Sequence, residues 1–114
     1  MAAANYDLTI EQGTDFSLTM NLSVEGVPYN LTGCSAAMQI RDFGNNLYFD
    51  GTVVNNKINL NLVASSITIK ISKSETQTMN FGTGKYDLEL TKSDGTTIRL
   101  LQGSVIISNE VTKD

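Results

Sequence analysis

Residues 86–108, with the sequence YDLELTKSDGTTIRLLQGSVIIS, read as one strand, a tight turn and a second strand. Tyr86, Leu88 and Leu90 alternate with polar residues, which predicts a strand with one face in a core and one face in water. Asp94-Gly95 follows, and this dipeptide favours a type I′ turn because glycine tolerates positive φ. The stretch therefore predicts an antiparallel β-hairpin near the end of the chain.

The second strand of this hairpin changes phase part-way along. Its apolar positions are Ile98 and Leu100 in one phase and Leu101, Val105 and Ile107 in the other. One explanation is a β-bulge between Leu100 and Gly103, for which Gly103 is a suitable residue. The other is that something covers both faces of the strand at its end, since Ile106 is apolar as well. The sequence leaves both explanations open.

The same alternation recurs along the rest of the chain. Further strands are predicted at residues 6–10, 16–23, 34–41, 47–49, 58–62 and 67–72, about eight in all. Ser72 followed three residues later by Glu75 is a capping-box pattern, which predicts one short helical turn. The 114 residues match one domain of ordinary size. We expect an all-β fold, a single antiparallel β-sandwich spanning residues 1–114.

Composition argues against several function classes. The net charge of −4 does not suit a nucleic-acid binder, which needs a basic face, and it disfavours adhesion to an anionic membrane. The chain has no apolar run of the ~18 residues that a membrane helix needs. It begins MAAANYDLTI, without the basic and apolar regions of a secretory signal, and its single cysteine permits no internal disulfide.

The sequence offers little that points to catalysis. It contains no histidine, the commonest general base. Cys34 is in phase with Ala36 and Met38, so we expect a small core residue. Asp87 and Glu89 share the polar face of one strand, and a solvated face explains them better than an acid–base pair. We predict that the protein is not an enzyme and needs no cofactor.

Residues 42–50 form an oxygen-rich loop, with Asp42, Asn45, Asn46 and Asp50 as its polar members. Calcium favours such ligands, but their spacing fits an Asx-rich turn better than a known calcium motif, so we predict no metal site. In the same segment Leu47 and Phe49 share one strand face. That spacing places Tyr48 on the other face, where tyrosine is a common contact residue.

Several short motifs, taken in order, resemble a family of small phage virion structural proteins. They are Ile10-Glu11-Gln12-Gly13 with Phe16, Leu31-Thr32-Gly33, Tyr86 to Leu90, Asp94-Gly95, Arg99 to Gly103, and Val105, Ser108 and Glu110-Val111-Thr112. This family is also similar to the Ig-like N-terminal domain of upper baseplate proteins in phage tails. The resemblance spans most of the chain and is weakest over residues 44–66. Within the motifs, Arg99 is predicted to pair with Glu89 across the hairpin.

The resemblance implies an Ig-like sandwich that acts as a structural component of a phage particle, assembled in the host cytoplasm and located in the tail, baseplate or fibre-attachment region. Its partners would be other virion proteins, including copies of itself. Two alternatives remain: a capsid decoration protein, and a carbohydrate-binding module that helps host attachment. The candidate docking surface comprises the arm 1–5, the strand 6–10 and the strand 104–112. Its interface residues are Tyr6, Leu8, Ile10, Tyr48, Val105, Ile106 and Ile107.

Overall fold

The computed structural model describes residues 3–111, which form two β-sheets packed face to face and one short helix. The strands are β1 (Ala4–Asn5), β2 (Leu8–Glu11), β3 (Phe16–Asn21), β4 (Ser23–Val24), β5 (Val27–Pro28), β6 (Ser35–Asp42), β7 (Leu47–Thr52), β8 (Ile58–Asn61), β9 (Ser66–Ile71), β10 (Thr83–Thr91) and β11 (Thr97–Ser108), and the helix is α1 (Lys73–Thr76). The predicted docking arm and last strand extend to Met1, Ala2 and Thr112, which lie outside the described residues.

The first sheet has six strands and the second has three. In the first, β11, β10, β6 and β7 are consecutive neighbours, and β1 and β2 both pair with the free side of β11. The second has the order β3-β9-β8, and β4 and β5 form a separate small hairpin. In Ig terms β3, β9 and β8 correspond to strands B, E and D, and β11, β10, β6 and β7 correspond to G, F, C and C′. The predicted all-β sandwich is confirmed.

The predicted antiparallel pairing holds in the described sheets except at one place. Both β1 and β2 run parallel to β11, with Ala4 opposite Leu101 and Leu8 opposite Val105. Parallel partners need a long connection, and here almost the whole chain separates the two strands. Short turn motifs indicate antiparallel neighbours, and they therefore give no indication of this parallel pairing.

The core lies between the two sheets and is formed by the inward positions of the alternating strands. Its most deeply buried side chains, all at most 1% exposed, include Met38, Ile40, Leu88 and Leu90 from the first sheet and Ile67, Ile69 and Ile71 from the second. Burial of an aliphatic side chain of this size contributes about 1.5–3 kcal/mol each. Packing between the apolar inner faces of the two sheets therefore holds the sandwich together.

A β-bulge in β11 explains the change of phase. Leu88 lies opposite Leu101 and Glu89 lies opposite Arg99, so Leu100 is the extra residue. Leu100 and Leu101 are both buried, which the bulge makes possible for two consecutive residues. The alternative is not supported, because the Ile106 side chain is 44% exposed.

The turn of the final hairpin differs from the predicted type I′. Only Gly95 has positive φ, at 90°, whereas type I′ requires it at both central residues. Lys92 accepts a hydrogen bond from the Gly95 N–H (2.9 Å) and donates one to the Thr96 carbonyl (2.8 Å), a three-residue loop with a glycine bulge. The Asp94 carboxylate accepts from the Thr96 N–H at 2.8 Å, and this Asx turn favours the longer loop.

The predicted helical turn is confirmed as α1. Ser72 is its N-cap, with the extended φ of −73° and ψ of 159°. The Ser72 hydroxyl accepts from the Glu75 N–H at 3.3 Å, and the Glu75 carboxylate accepts from the Ser72 N–H at 3.1 Å. Within residues 3–111, no helix has the length and apolar character needed to cross a membrane.

Candidate protein interface

Four of the seven predicted interface side chains belong to the core. Leu8, Ile10, Val105 and Ile107 are 3%, 0%, 0% and 7% exposed. Leu8 lies opposite Val105 and Ile10 opposite Ile107 in the β2–β11 pairing, so both strands direct these positions inward. The prediction that they contact a partner is therefore corrected. The alternation of buried and exposed residues in β2 shows which of its side chains point into the core.

Tyr6, between β1 and β2, and Ile106, in β11, remain on the surface. Their side chains are 52% and 44% exposed. Ile106 lies opposite Thr9 of β2, which is also exposed, so the outer face of this sheet edge combines an apolar and a hydroxyl side chain. Of the seven predicted interface side chains, Tyr6 and Ile106 are the two that are exposed along β1, β2 and β11.

Tyr6 lies where the N-terminal strand is interrupted between β1 and β2. Its N–H donates to the Gln102 carbonyl at 2.9 Å, and its own carbonyl accepts from the Tyr86 hydroxyl at 2.5 Å. The neighbouring Asp7 carboxylate accepts from the Ser104 N–H at 2.9 Å, in place of a backbone ladder bond. Burial, reinforced by the charge of Asp7, raises the pKa of Tyr86 to about 12.

Tyr48 is half-buried at the opposite edge of the first sheet. A register shift places Phe49 opposite Ile40 and Leu47 opposite Arg41, so that Tyr48 is the extra residue of a bulge. Its ring packs on Phe81 with the centroids 4.7 Å apart and an interplanar angle of 49°. The prediction that Leu47 shares the buried face of Phe49 is wrong, because the bulge breaks the alternation and leaves Leu47 47% exposed.

A polar row crosses the outer face of the first sheet. The residues that lie opposite one another along it are Asn5, Gln102, Asp87, Gln39 and Asp50. The Gln102 amide donates to Asn5 at 3.2 Å, and the Gln39 amide donates to Asp50 at 3.4 Å. With Arg41, Lys85 and Arg99, all of these residues except Asp50 line a shallow depression of about 370 Å³. Sequence reasoning missed this row, because only the cross-strand register brings its members together.

Arg99 lies at the centre of the charged groups on this face. It is the register partner of Glu89, as predicted, and its guanidinium is 4.0 Å from the Glu89 carboxylate and 3.6 Å from that of Asp87. It also donates to the Gln102 side chain at 3.1 Å. Such exposed pairs stabilise the fold by less than about 1 kcal/mol, so the network mainly fixes the geometry of the face.

The residues considered for catalysis do not form one site, because Cys34 lies apart from Asp87 and Glu89. Asp87 and Glu89 flank the Arg99 guanidinium, an arrangement that holds a cation between them. Cys34 precedes β6 and is partly buried against the core, with its sulfur 4.0 Å from the Asn30 carbonyl. Among residues 3–111 no group of three or more His, Cys, Asp or Glu side chains is placed to hold a metal ion.

The predicted 42–50 loop is a hydrogen-bonded turn at residues 43–46, flanked by the end of β6 and the start of β7. The Asp42 carboxylate accepts from the Asn46 backbone N–H at 2.9 Å and from the Asn46 side-chain amide at 3.0 Å. These bonds lower the pKa of Asp42 and occupy both of its oxygens. Asn45 has positive φ (73°), and the Asp50 carboxylate is turned to Gln39. Asp42 and Asn46 thus satisfy each other, whereas Asp50 bonds to a residue of β6.

Some motifs of the resemblance lie at the two ends of the sandwich. At one end the Gly13 N–H donates to the buried Thr76 hydroxyl at 3.0 Å, and that hydroxyl donates to the Thr14 carbonyl at 2.8 Å. Gln12 accepts from the Glu110 N–H at 3.0 Å, which ties the end of β2 to the residues after β11. At the other end Gly33 has a φ of +76° and packs against Ser93 of the final hairpin.

No known protein family has a model that matches this chain, and no curated protein matches it either.

Proposed function

We propose that this chain is a non-enzymatic structural component of a bacteriophage particle, in the tail, baseplate or fibre-attachment region, and that it docks on other virion proteins. The observation that carries the proposal is the outer face of the first sheet. It is shallow and internally hydrogen-bonded, and its Arg99 guanidinium lies between the carboxylates of Asp87 and Glu89. The order of the sequence motifs supports the placement in a phage particle.

The proposed docking face has the mixed character of a non-obligate protein interface. Exposed Tyr6 and Ile106 lie at one edge of the first sheet, exposed Leu47 lies at the other, and the polar row lies between them. Aromatic residues and arginine are enriched in such interfaces. A specific contact should bury upwards of ~1,000 Å² in total. Many copies in a symmetric particle would then hold by avidity even if each contact is modest.

Lysine-specific cross-linking of purified particles tests this proposal, because the two sheets carry lysines on opposite outer faces. Lys85 lies on the docking face and Lys70 lies on the outer side of the second sheet, and both are exposed. We expect Lys85, and not Lys70, to cross-link to another virion protein. Tail or baseplate partners support the proposed location, whereas coat-protein partners indicate the capsid alternative. Particles that lack the polypeptide contradict the proposal.

A pair of variants distinguishes an effect on docking from an effect on folding. Ile106→Glu places a charge on the docking face, whereas Val54→Glu places the same charge on a loop where the side chain is 89% exposed. Both proteins should fold, with similar melting temperatures. In particles assembled with the variant as the sole copy, Ile106→Glu should be depleted and Val54→Glu retained. Equal retention of the two would remove Ile106 from the interface.

A further inference from the structure

The outer edge of β3, meaning the backbone groups of Phe16–Asn21 that point away from β9, has no strand beside it. β3 is the last strand of the three-stranded sheet and pairs only with β9 among the described residues. In an ABED-type Ig sheet the first strand of the domain occupies this position. Here β1 and β2 lie against β11 in the other sheet instead. A row of unpaired N–H and C=O groups is therefore presented to the surroundings.

The side chains of β3 are incompletely buried on the core side as well. Phe16, Leu18 and Met20 are partly exposed, whereas their register partners Ile71, Ile69 and Ile67 on β9 are at most 1% exposed. A strand added beside β3 would cover both the backbone groups and this apolar margin. The edge thus has two unsatisfied features that the same occupant would satisfy.

The other three sheet edges carry the features by which proteins prevent strand addition. β7 contains the Tyr48 bulge and the charged Asp50. The N-terminal edge is interrupted at Asp7, whose side chain replaces a ladder bond. β8 has only 4 residues. β3 has 6 residues, FSLTMN, with an unbroken register and no charge, proline or glycine.

We propose that β3 pairs edge to edge and antiparallel with β3 of a second copy of this chain, about a two-fold axis. Opposed residues of an antiparallel pair point to the same side of the sheet. The apolar side chains of β3 are even-numbered, so they stay on one face only if even-numbered positions oppose even-numbered positions. The two best-overlapping registers are centred on Leu18 and on Thr19. The first opposes Phe16 with Met20, and the second opposes Leu18 with Met20. In both, hydroxyl or amide side chains face one another on the outer side and no like charges meet, so the strand is complementary to itself.

Sedimentation analysis of the purified protein tests this pairing. Five paired residues a side bury less than a standard interface, so we expect a reversible dimer with a Kd between ~10 μM and ~1 mM. Hydrogen exchange, measured at low and high protein concentration, should show concentration-dependent protection of amides in residues 16–21 and none in residues 58–61. A protein that stays monomeric up to ~1 mM overturns the proposal.

Thr19→Lys and Asn59→Lys form a matched pair of variants. Thr19 and Asn59 lie on opposite edges of the second sheet, both are exposed, and both are register partners of Thr68. Thr19→Lys places like charges across the two-fold axis and should weaken dimerisation more than tenfold, whereas Asn59→Lys should dimerise as the parent protein does. Equal dimerisation of both variants, or a dimer without protection at β3, also overturns the proposal. The measurements use isolated protein, so their outcome is independent of whether the chain occurs in phage particles.

Discussion

Replacing Tyr86 with phenylalanine removes one hydroxyl at the junction of the two chain ends. That hydroxyl donates to the Tyr6 carbonyl at 2.5 Å, and the ring is 4% exposed, so the phenylalanine side chain would keep the packing and lose only the hydrogen bond. Tyr6 itself is exposed, and water can therefore solvate its freed carbonyl. A net loss of about 1 kcal/mol is expected near neutral pH, which corresponds to a fall in Tm of about 4 °C.

The pH dependence gives this prediction a second measurement. The pKa of Tyr86 is about 12 in the folded protein against an ordinary 10.0, because burial and the charge of Asp7 disfavour the phenolate. The folded state therefore holds this proton more tightly than the unfolded state. The corresponding stability is complete below pH 10 and is lost as pH rises from 10 through 12. The upper limit is about 3 kcal/mol, which solvent screening at the sheet edge reduces to about 1–2 kcal/mol.

Urea unfolding from pH 7 to pH 12 measures both effects. The stability difference between parent and Tyr86→Phe should be constant up to about pH 9 and should shrink or reverse by pH 12, since only the parent loses the Tyr86 contribution. Tyr48→Phe serves as the control, because it retains the ring that packs on Phe81. If Tyr86→Phe and the parent lose stability in parallel up to pH 12, the hydroxyl has no special environment and the reasoning fails.

Three further predictions concern the ends of the sandwich and the metal question. Thr76→Val should lower the free energy of unfolding by about 2 kcal/mol, because the buried Gly13 N–H loses its acceptor. The control Thr78→Val, at an exposed position, should lower it by less than about 0.5 kcal/mol. Comparable losses in the two variants contradict the role of Thr76 as the acceptor for Gly13. Gly13→Ala and Gly26→Ala should each cost about 1–2 kcal/mol in denaturant unfolding, because both glycines have φ near +80° and the Glu110 carboxylate that a Cβ at Gly13 would meet is the end of a side chain that can move aside; a much larger loss at Gly13 contradicts this reasoning. Neither chelator nor reductant should change the melting curve of the isolated protein, and a lower Tm in chelator alone contradicts our interpretation of the 42–50 loop.

Features that depend on neighbouring residues could be predicted from the sequence. The strands follow from alternation, α1 follows from the Ser72–Glu75 capping box, and the phase change at Leu100 limits that strand to two explanations, of which the bulge is the one observed. The pairing of Arg99 with Glu89 also belongs to this class, since a short hairpin fixes its own register. In each case the physical cause acts over a few residues.

Features that depend on distant pairing could not be predicted. The parallel contact of β1 and β2 with β11 has no local signal, and without it the polar row from Asn5 to Asp50 cannot be assembled. The predicted turn at Asp94 is wrong for a different reason, because a side-chain hydrogen bond to Thr96 selects another turn type. The interface prediction takes β2 and β11 as whole strands and does not distinguish their inner and outer faces. It therefore includes the core residues Leu8 and Val105.

The motifs that resemble phage virion proteins have structural explanations in this fold. Gly13 and Gly33 occupy positive-φ positions, and Gln12 links the end of β2 to Glu110. Substitutions at these positions would disturb folding before they disturbed docking, so they cannot separate a shared fold from a shared function. Exposed residues outside the motifs can do so. Ile106, which the motifs leave unspecified, and Thr19, on the open edge, therefore test function more sharply than any motif residue.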